Sequence, residues 1–116
     1  MVLATYNNTC CITSIDNTDL LIASHIVPWS KDEKNRLNPT NGLCLNALHD
    51  RAFDKGLITI SAKDYTIKVS SKLKTKTVIS QIASTFFSFE GVQINLPDKF
   101  LPSIKQLKIH NDFFTP

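Results

Sequence analysis

A histidine, an asparagine and a group of acidic residues follow one another in the first half of this sequence. His25 lies near the end of an apolar run, and Asn41 follows a long polar segment. The next segment contains His49, Asp50 and Asp54. Histidine titrates near neutral pH and can take a proton from water, while carboxylates and imidazoles are ligands of Mg²⁺, Mn²⁺ or Zn²⁺. These residue types, in this order, suit a single-metal site that cleaves phosphodiester bonds.

Two of these residues also have plain structural interpretations. His25 lies among apolar residues, so it could be a hydrogen-bonded core histidine. Its place shortly before Pro28 and a polar loop favours an accessible side chain instead, one that could act as a general base. Asn41 precedes Gly42, and Asn-Gly is a common turn pair. Alternatively, the Asn41 amide crosses the loop and braces the strand that carries His25.

The acidic residues are predicted to share one face of a helix. Asp50 and Asp54 are four apart and therefore neighbours on a helix surface, where together they could grip one ion. Asp50 could simply favour the positive helix N-terminus, and His49 could simply be exposed. Asp54 is harder to explain in this way, because a carboxylate in the last turn meets the negative end of the helix dipole. An ion pair with Arg51 or Lys55 is the alternative.

The elements around these residues follow from local signals. Leu20–Val27 reads as a strand, and Leu43–Leu45 as a second strand that completes a hairpin with a long connection. A loop that long inside a compact domain is more often functional than idle. Asn46 suits the N-cap of a helix over Ala47–Lys55, and Gly56 supplies the left-handed residue that ends it.

The rest of the chain reads as short strands and two helices. Pro102 can open a last helix over Ser103 to about Phe113. We expect two inner helix faces: Leu48, Ala52 and Phe53 in the first helix, and Ile104, Leu107, Lys108 and Phe114 in the last. The other predicted elements are a brief strand near Cys11–Thr13, a hairpin of Leu57–Ser61 with Tyr65–Ser70, a helical spacing over Thr77–Thr85, and a strand over Val92–Leu96.

Composition sets the class of protein. The 116 residues are 42% hydrophobic and 20% charged, which is typical of one globular domain, here residues 1–116. The net charge of +3 permits an acidic partner such as DNA without requiring one. The three cysteines include no CxxC pair, so we expect neither a disulfide framework nor a structural zinc site. No apolar run is long enough for a membrane span and no secretory signal is visible, so we expect a soluble, cytoplasmic protein.

Three stretches taken together resemble the HNH nuclease family, which has the ββα-metal fold. They are ASHIVPW (residues 23–29), NPTNGLCLNALHDRAFDKGLITI (residues 38–60) and, more weakly, CCIT (residues 10–13). The branch resembled is the one found as a domain in restriction endonucleases. The tail from residue 96 also resembles that branch, with a Leu-Pro segment and then a helix with a late His and Phe. The resemblance implies an α+β fold, a ββα-metal core with additional short strands and a C-terminal helix.

The resemblance also implies roles for single residues. His25 matches the general base of the family, and Asn41 matches its central asparagine. The third family position, a metal-binding His or Asp, falls on His49 or Asp50, and Asp50 pairs with Asp54. We expect Asp50 and Asp54 to face the ion, with His49 as a further ligand or phosphate contact.

The implied cofactor is one divalent metal ion, with Mg²⁺ or Mn²⁺ favoured and Zn²⁺ or Ni²⁺ as alternatives. The implied substrate is DNA, and by charge and reach alone Arg51, Lys55 and Lys31 are candidate phosphate contacts. We expect cleavage in a restriction or defence context, with a homodimer or further domains of a longer protein supplying target recognition.

One position departs from the family pattern. Many relatives place Asp or His directly before the base as a first metal ligand, whereas this chain has Ser24, and a hydroxyl is a poor ligand. A catalytically weak or inactive HNH-like module that only binds DNA is therefore the alternative function. A nuclease toxin that resembles colicins is a third interpretation, which the short chain disfavours.

Overall fold

The core of the fold is an antiparallel hairpin followed by a helix. In this computed structural model, which describes residues 2–28, 38–74 and 80–116, strand β1 (Leu21–His25) pairs with β2 (Gly42–Asn46). Leu21 lies opposite Asn46, and His25 lies opposite Gly42. Helix α2 (Ala47–Asp54) follows β2 directly. The order β1, β2, α2 is the ββα arrangement that the sequence predicts.

Local signals explain how α2 begins and ends. The side chain of Asn46 accepts hydrogen bonds from the backbone N–H groups of Leu48 and His49, both at 3.1 Å. These two groups have no partner within the helix, so the cap stabilises its first turn. Gly56 has a φ of 72°, a left-handed conformation that a side chain disfavours. The predicted cap and stop residues of this helix are confirmed.

The remaining elements surround this core. Strands β3 (Ile58–Ile60) and β4 (Ile67–Val69) form a second antiparallel pair. The other α-helices are the short α1 (Val2–Thr5) and α3 (Ser80–Thr85) and the longer α4 (Ile104–Phe113), and several single-turn 3-10 helices connect the elements. Among the described residues, no helix is long and apolar enough to cross a membrane. The α+β fold class is confirmed.

Some sequence predictions of elements are wrong. Residues 11–13 form a turn, and residues 92–96 contribute a single bridge, between Thr66 and Gln93. The predicted helix over residues 77–85 is present from Ser80 onward, and its residues 77–79 lie outside the described ranges. Residues 11–13 and 92–96 do not pair with another strand over several residues, and β-branched side chains alone do not make a segment a strand.

The inner face of α2 also differs from the prediction. Leu48 is 56% exposed, whereas His49, Ala52 and Phe53 are buried. Positions i, i+3 and i+4 form this buried face. Helix α4 differs from its prediction in the same way: His110 is buried with Leu107, while Ile104, a predicted core residue, is 39% exposed. Each of these helices therefore places a histidine inside and a predicted core residue outside.

Candidate active site

His25 lies at the edge of an open cleft between β1 and α2. It is the last residue of β1, and its side chain is exposed. The cleft has a volume of about 470 Å³. Its walls are formed by Ile22, Ala23, Ser24, His25, Pro28, Asp50 and Asp54. The fold thus brings together the imidazole and the two carboxylates that the sequence predicts to act together.

Asn41 holds the backbone just beyond His25. Its Oδ1 accepts a hydrogen bond from the backbone N–H of Val27 at 2.9 Å, and its Nδ2 donates to the carbonyl of Val27 at 3.1 Å. The backbone N–H of Ile26 donates to the carbonyl of Asn41 at 2.9 Å. Asn41 is only 1% exposed, so these hydrogen bonds form away from water. This is the contact expected of a brace that crosses the loop.

The α2 carboxylates face the cleft from the helix side. Asp50 is half-buried and Asp54 is exposed. Their i, i+4 spacing places both on one side of α2, which differs from the buried side formed by His49, Ala52 and Phe53. The helix therefore presents two negatively charged groups toward the strand that carries His25.

The candidate phosphate contacts on α2 are accessible. Arg51 and Lys55 are both exposed, next in sequence to the two cleft carboxylates. Lys31, the third candidate, lies outside the described residues.

Ser24 directly precedes His25 and is 5% exposed. It lies opposite Leu43 in the strand pair, and it forms part of the cleft wall. The position before His25 therefore carries a buried serine, where the sequence pattern of many HNH nucleases has Asp or His.

The structure does not bring His49 into this cleft. His49 is 1% exposed, and its Nε2 donates to the carbonyl of Thr85 at 2.9 Å. Its Nδ1 accepts from Nδ2 of Asn46, also at 2.9 Å. Burial lowers the pKa of His49, against the opposing effect of the Thr85 carbonyl, so the ring is neutral at pH 7. With both nitrogens engaged and the ring packed against Phe86, this placement disagrees with the expectation of a catalytic or metal-binding His49.

A second buried histidine, His110, lines a smaller cavity of about 150 Å³ together with His25 and Asp54. His110 of α4 donates from Nε2 to the carbonyl of Phe53 at 2.8 Å, and its Nδ1 is 2.7 Å from Oγ1 of Thr59. Burial lowers the pKa of His110 to about 4, although the Phe53 carbonyl and the Asp54 carboxylate act in the opposite direction. A neutral ring that donates from Nε2 must accept at Nδ1, so the Thr59 hydroxyl is the donor. In the sequence, the only signal was the late histidine of the tail.

The donor set of the cleft suits a hard cation. Among residues 2–28, 38–74 and 80–116, no group of three or more His, Cys, Asp or Glu side chains could hold a metal ion. A closed protein cage, as in structural zinc sites, is therefore not present in these ranges. Two carboxylates fit the different requirement of Mg²⁺, which keeps several waters and takes one or two carboxylates from the protein.

The comparisons with known proteins agree with this geometry. Residues 10–61 match a family model described as HNH endonuclease. The match includes β1, β2, α2 and β3 and thus every residue of the cleft. It does not include α3 or α4. No curated protein matches the chain.

Proposed function

We propose, on the match of residues 10–61 to the HNH endonuclease family model, that the chain hydrolyses DNA phosphodiester bonds with the help of one divalent metal ion. The observation that supports this most is the single cleft that the exposed His25 shares with Asp50 and Asp54. A base and a pair of anionic ligands within one open cleft are the groups that hydrolysis of a phosphodiester by water requires.

His25 is the general base in this proposal. Its imidazole accepts a proton from the water that attacks phosphorus in line with the leaving 3′ oxygen. The strand end must stay fixed while this happens, since small displacements of a catalytic group reduce the rate strongly. Asn41 fixes it, because its amide binds both backbone groups of Val27, two residues after the base.

Asp50 and Asp54 are the residues that would hold the ion. Mg²⁺ or Mn²⁺ fits two carboxylates best, while Zn²⁺ and Ni²⁺ prefer nitrogen-rich or sulfur-rich sites. When bound, such an ion neutralises charge on a phosphate oxygen and on the leaving oxygen. His49 has no part in this centre, because both of its ring nitrogens already have protein partners.

The DNA backbone is the surface recognised by this domain. Arg51 and Lys55 are exposed on α2 and would contact phosphates beside the cleft, as Lys31 would from the loop. Phosphate contacts set the position of a protein on DNA but do not read its sequence. We therefore propose that residues 1–116 form one nuclease domain, and that a partner domain or a second copy selects the target in a restriction system.

One observation favours a second candidate, a DNA-binding module with little or no catalysis. Ser24 stands where relatives place a metal ligand, and it is buried. The described residues also contain no group of three ligands. Such a module would bind DNA through the same α2 cations without cutting it.

Plasmid nicking separates the two candidates. Supercoiled plasmid is incubated with the protein and Mg²⁺, Mn²⁺, Ni²⁺ or Zn²⁺ in turn, with EDTA as the blank. We expect metal-dependent nicking that is lost in His25→Ala and reduced at least about tenfold in Asp50→Asn and Asp54→Asn. Lys63→Ala, an exposed substitution remote from the cleft, is the matched control and should cut normally. Intact plasmid under all four metals, despite measurable binding, would establish the binding module instead.

A further inference from the structure

We propose that the buried histidines His49 and His110 are positioning residues that clamp the two ends of α2 and thereby fix Asp50 and Asp54 opposite His25. This inference rests on the proposed function, since it gives the two clamps a purpose in metal binding. It assigns a role to α3 and α4, which lie outside the segment matched by the family model.

The clamp at the end of α2 is formed by α4. His110 donates from Nε2 to the carbonyl of Phe53, the residue directly before Asp54. The two rings are also stacked, with centroids 3.6 Å apart and planes 6° apart. The Phe53 carbonyl also accepts from the backbone N–H of Gly56 at 3.1 Å. His110 therefore adds a second hydrogen bond to this carbonyl and ties the last turn of α2 to α4.

The other side of the His110 ring is fixed as well. Thr59 of β3 donates its hydroxyl to Nδ1 at 2.7 Å, and Nδ2 of Asn111 donates to that same hydroxyl oxygen at 2.9 Å. Asn111 further donates to the carbonyl of Ile60 and accepts from the N–H of Ala62. The imidazole is thus part of a chain of hydrogen bonds that joins α4, β3 and α2.

The clamp at the start of α2 uses the same chemistry. His49 directly precedes Asp50, and it donates from Nε2 to the carbonyl of Thr85 at the end of α3. Its Nδ1 accepts from Asn46, whose Oδ1 caps the first N–H groups of the helix. The ring also packs against Phe86, with centroids 4.9 Å apart. The helix cap and α3 are therefore held together through one imidazole.

Burial and position argue for a positioning role of both rings and against direct contact with an ion. His49 and His110 are 1% and 5% exposed, and both nitrogens of each ring already have protein partners. Neither ring contributes to the cleft wall that contains Asp50, although His110 lines a smaller cavity of about 150 Å³ with His25 and Asp54. Each clamp adjoins one carboxylate, so a shift of either helix end moves one of the two proposed ligands. Replacing a group that orients a metal ligand in this way commonly lowers metal affinity or activity by about 10- to 100-fold.

Paired substitutions test the clamps. His110→Phe and His49→Phe keep an aromatic ring but remove both hydrogen bonds, whereas His110→Gln and His49→Gln keep a donor near the Nε2 position. Mn²⁺ affinity is measured by electron paramagnetic resonance of the free ion, and plasmid nicking gives kcat. Far-UV circular dichroism and thermal melts establish that each variant is folded at the assay temperature. Tyr65→Phe, which removes a 2.9 Å hydrogen bond to Pro102 at a site remote from the cleft, is the control.

We expect the phenylalanine variants to bind Mn²⁺ about 10- to 100-fold more weakly and to lose kcat, with most of the loss restored in the glutamine variants. Tyr65→Phe should leave Mn²⁺ affinity unchanged. If a phenylalanine variant is unfolded, Thr59→Val, which deletes only the hydroxyl bound to Nδ1, should show a smaller loss of affinity in the same direction.

Two failures can be told apart. Wild-type protein that binds no Mn²⁺ and cuts no DNA overturns the proposed function, and this inference with it. Wild-type protein that binds Mn²⁺ and cuts DNA, while the folded phenylalanine variants or Thr59→Val match it in affinity and kcat, overturns the inference alone. A lower melting temperature with unchanged Mn²⁺ affinity would likewise show that the histidines serve stability only.

Discussion

Replacing Asn41 with alanine is expected to destabilise the protein strongly and to disorder the backbone that follows His25. The Asn41 side chain is 1% exposed and Val27 is 2% exposed. Their two hydrogen bonds, of 2.9 and 3.1 Å, satisfy both the N–H and the carbonyl of Val27. Alanine cannot form either bond, so two buried backbone groups lose their partners at once.

The size of the effect follows from those two groups. A buried donor or acceptor that loses its partner costs about 1–3 kcal/mol, so two such groups cost about 2–6 kcal/mol in free energy of unfolding. A domain of this size has about 5–15 kcal/mol in total. The backbone bond from Ile26 to the carbonyl of Asn41 survives the substitution and holds part of the turn. We therefore expect a folded but much weakened protein.

Urea denaturation of metal-free protein measures this loss. The control is Asn95→Ala, the same substitution at an exposed residue that donates one hydrogen bond to Ser14 at 3.2 Å; it should cost no more than about 0.5 kcal/mol. Plasmid nicking by Asn41→Ala, assayed where the variant is still folded, should fall because His25 is no longer fixed. If Asn41→Ala is as stable as Asn95→Ala, the brace does not hold this segment and the reasoning is refuted.

Three further outcomes are expected. Metal-free protein should lose up to about 3 kcal/mol of stability as the pH falls from about 6.5 to about 4. In this range His110 takes up a proton in the unfolded protein but not in the folded protein, where its pKa is lowered to about 4. Urea titrations across this pH range measure the loss, and the stability of His110→Gln should depend less on pH. In the same assay, Phe53→Ala removes a fully buried side chain and should cost about 3–5 kcal/mol of stability. Leu48→Ala changes a residue that is 56% exposed and should cost less than about 1 kcal/mol. Equal losses would contradict the orientation of α2. Arg51→Gln and Lys55→Gln should each weaken the salt dependence of DNA binding, so that the slope of log affinity against log salt concentration is smaller in magnitude by about 1. Fluorescence anisotropy measures this slope. An unchanged slope would show that the residue does not contact a phosphate.

Local chemistry in the sequence was sufficient for the parts of the site that depend on neighbours along the chain. Asn46 caps α2 and Gly56 ends it, because capping and left-handed φ are properties of the few residues around a helix end. The helical i, i+4 spacing likewise put Asp50 and Asp54 on one face. The apolar run predicted a strand over Leu20–Val27, and the strand present, Leu21–His25, is shorter at both ends.

The sequence failed where hydrophobicity was used to decide which side of a helix is inside. Leu48 is more apolar than His49, so the pattern placed Leu48 in the core, yet Leu48 is exposed and His49 is buried. A neutral imidazole is buried without loss when both of its nitrogens have partners. One partner of His49 is Thr85, far along the chain, and no periodicity in α2 signals it.

The sequence by itself thus determined which functional groups are present and their local positions: a histidine near a strand end, an asparagine after a long loop, and two carboxylates on one helix face. Only the tertiary structure decided which of these groups meet. It placed His25 with Asp50 and Asp54 in one cleft, and it buried His49 and His110 as hydrogen-bonding groups at the start and the end of α2. The physical reason is that the partners of a buried polar group come from segments distant in the chain, and only the folded packing brings them within hydrogen-bonding distance.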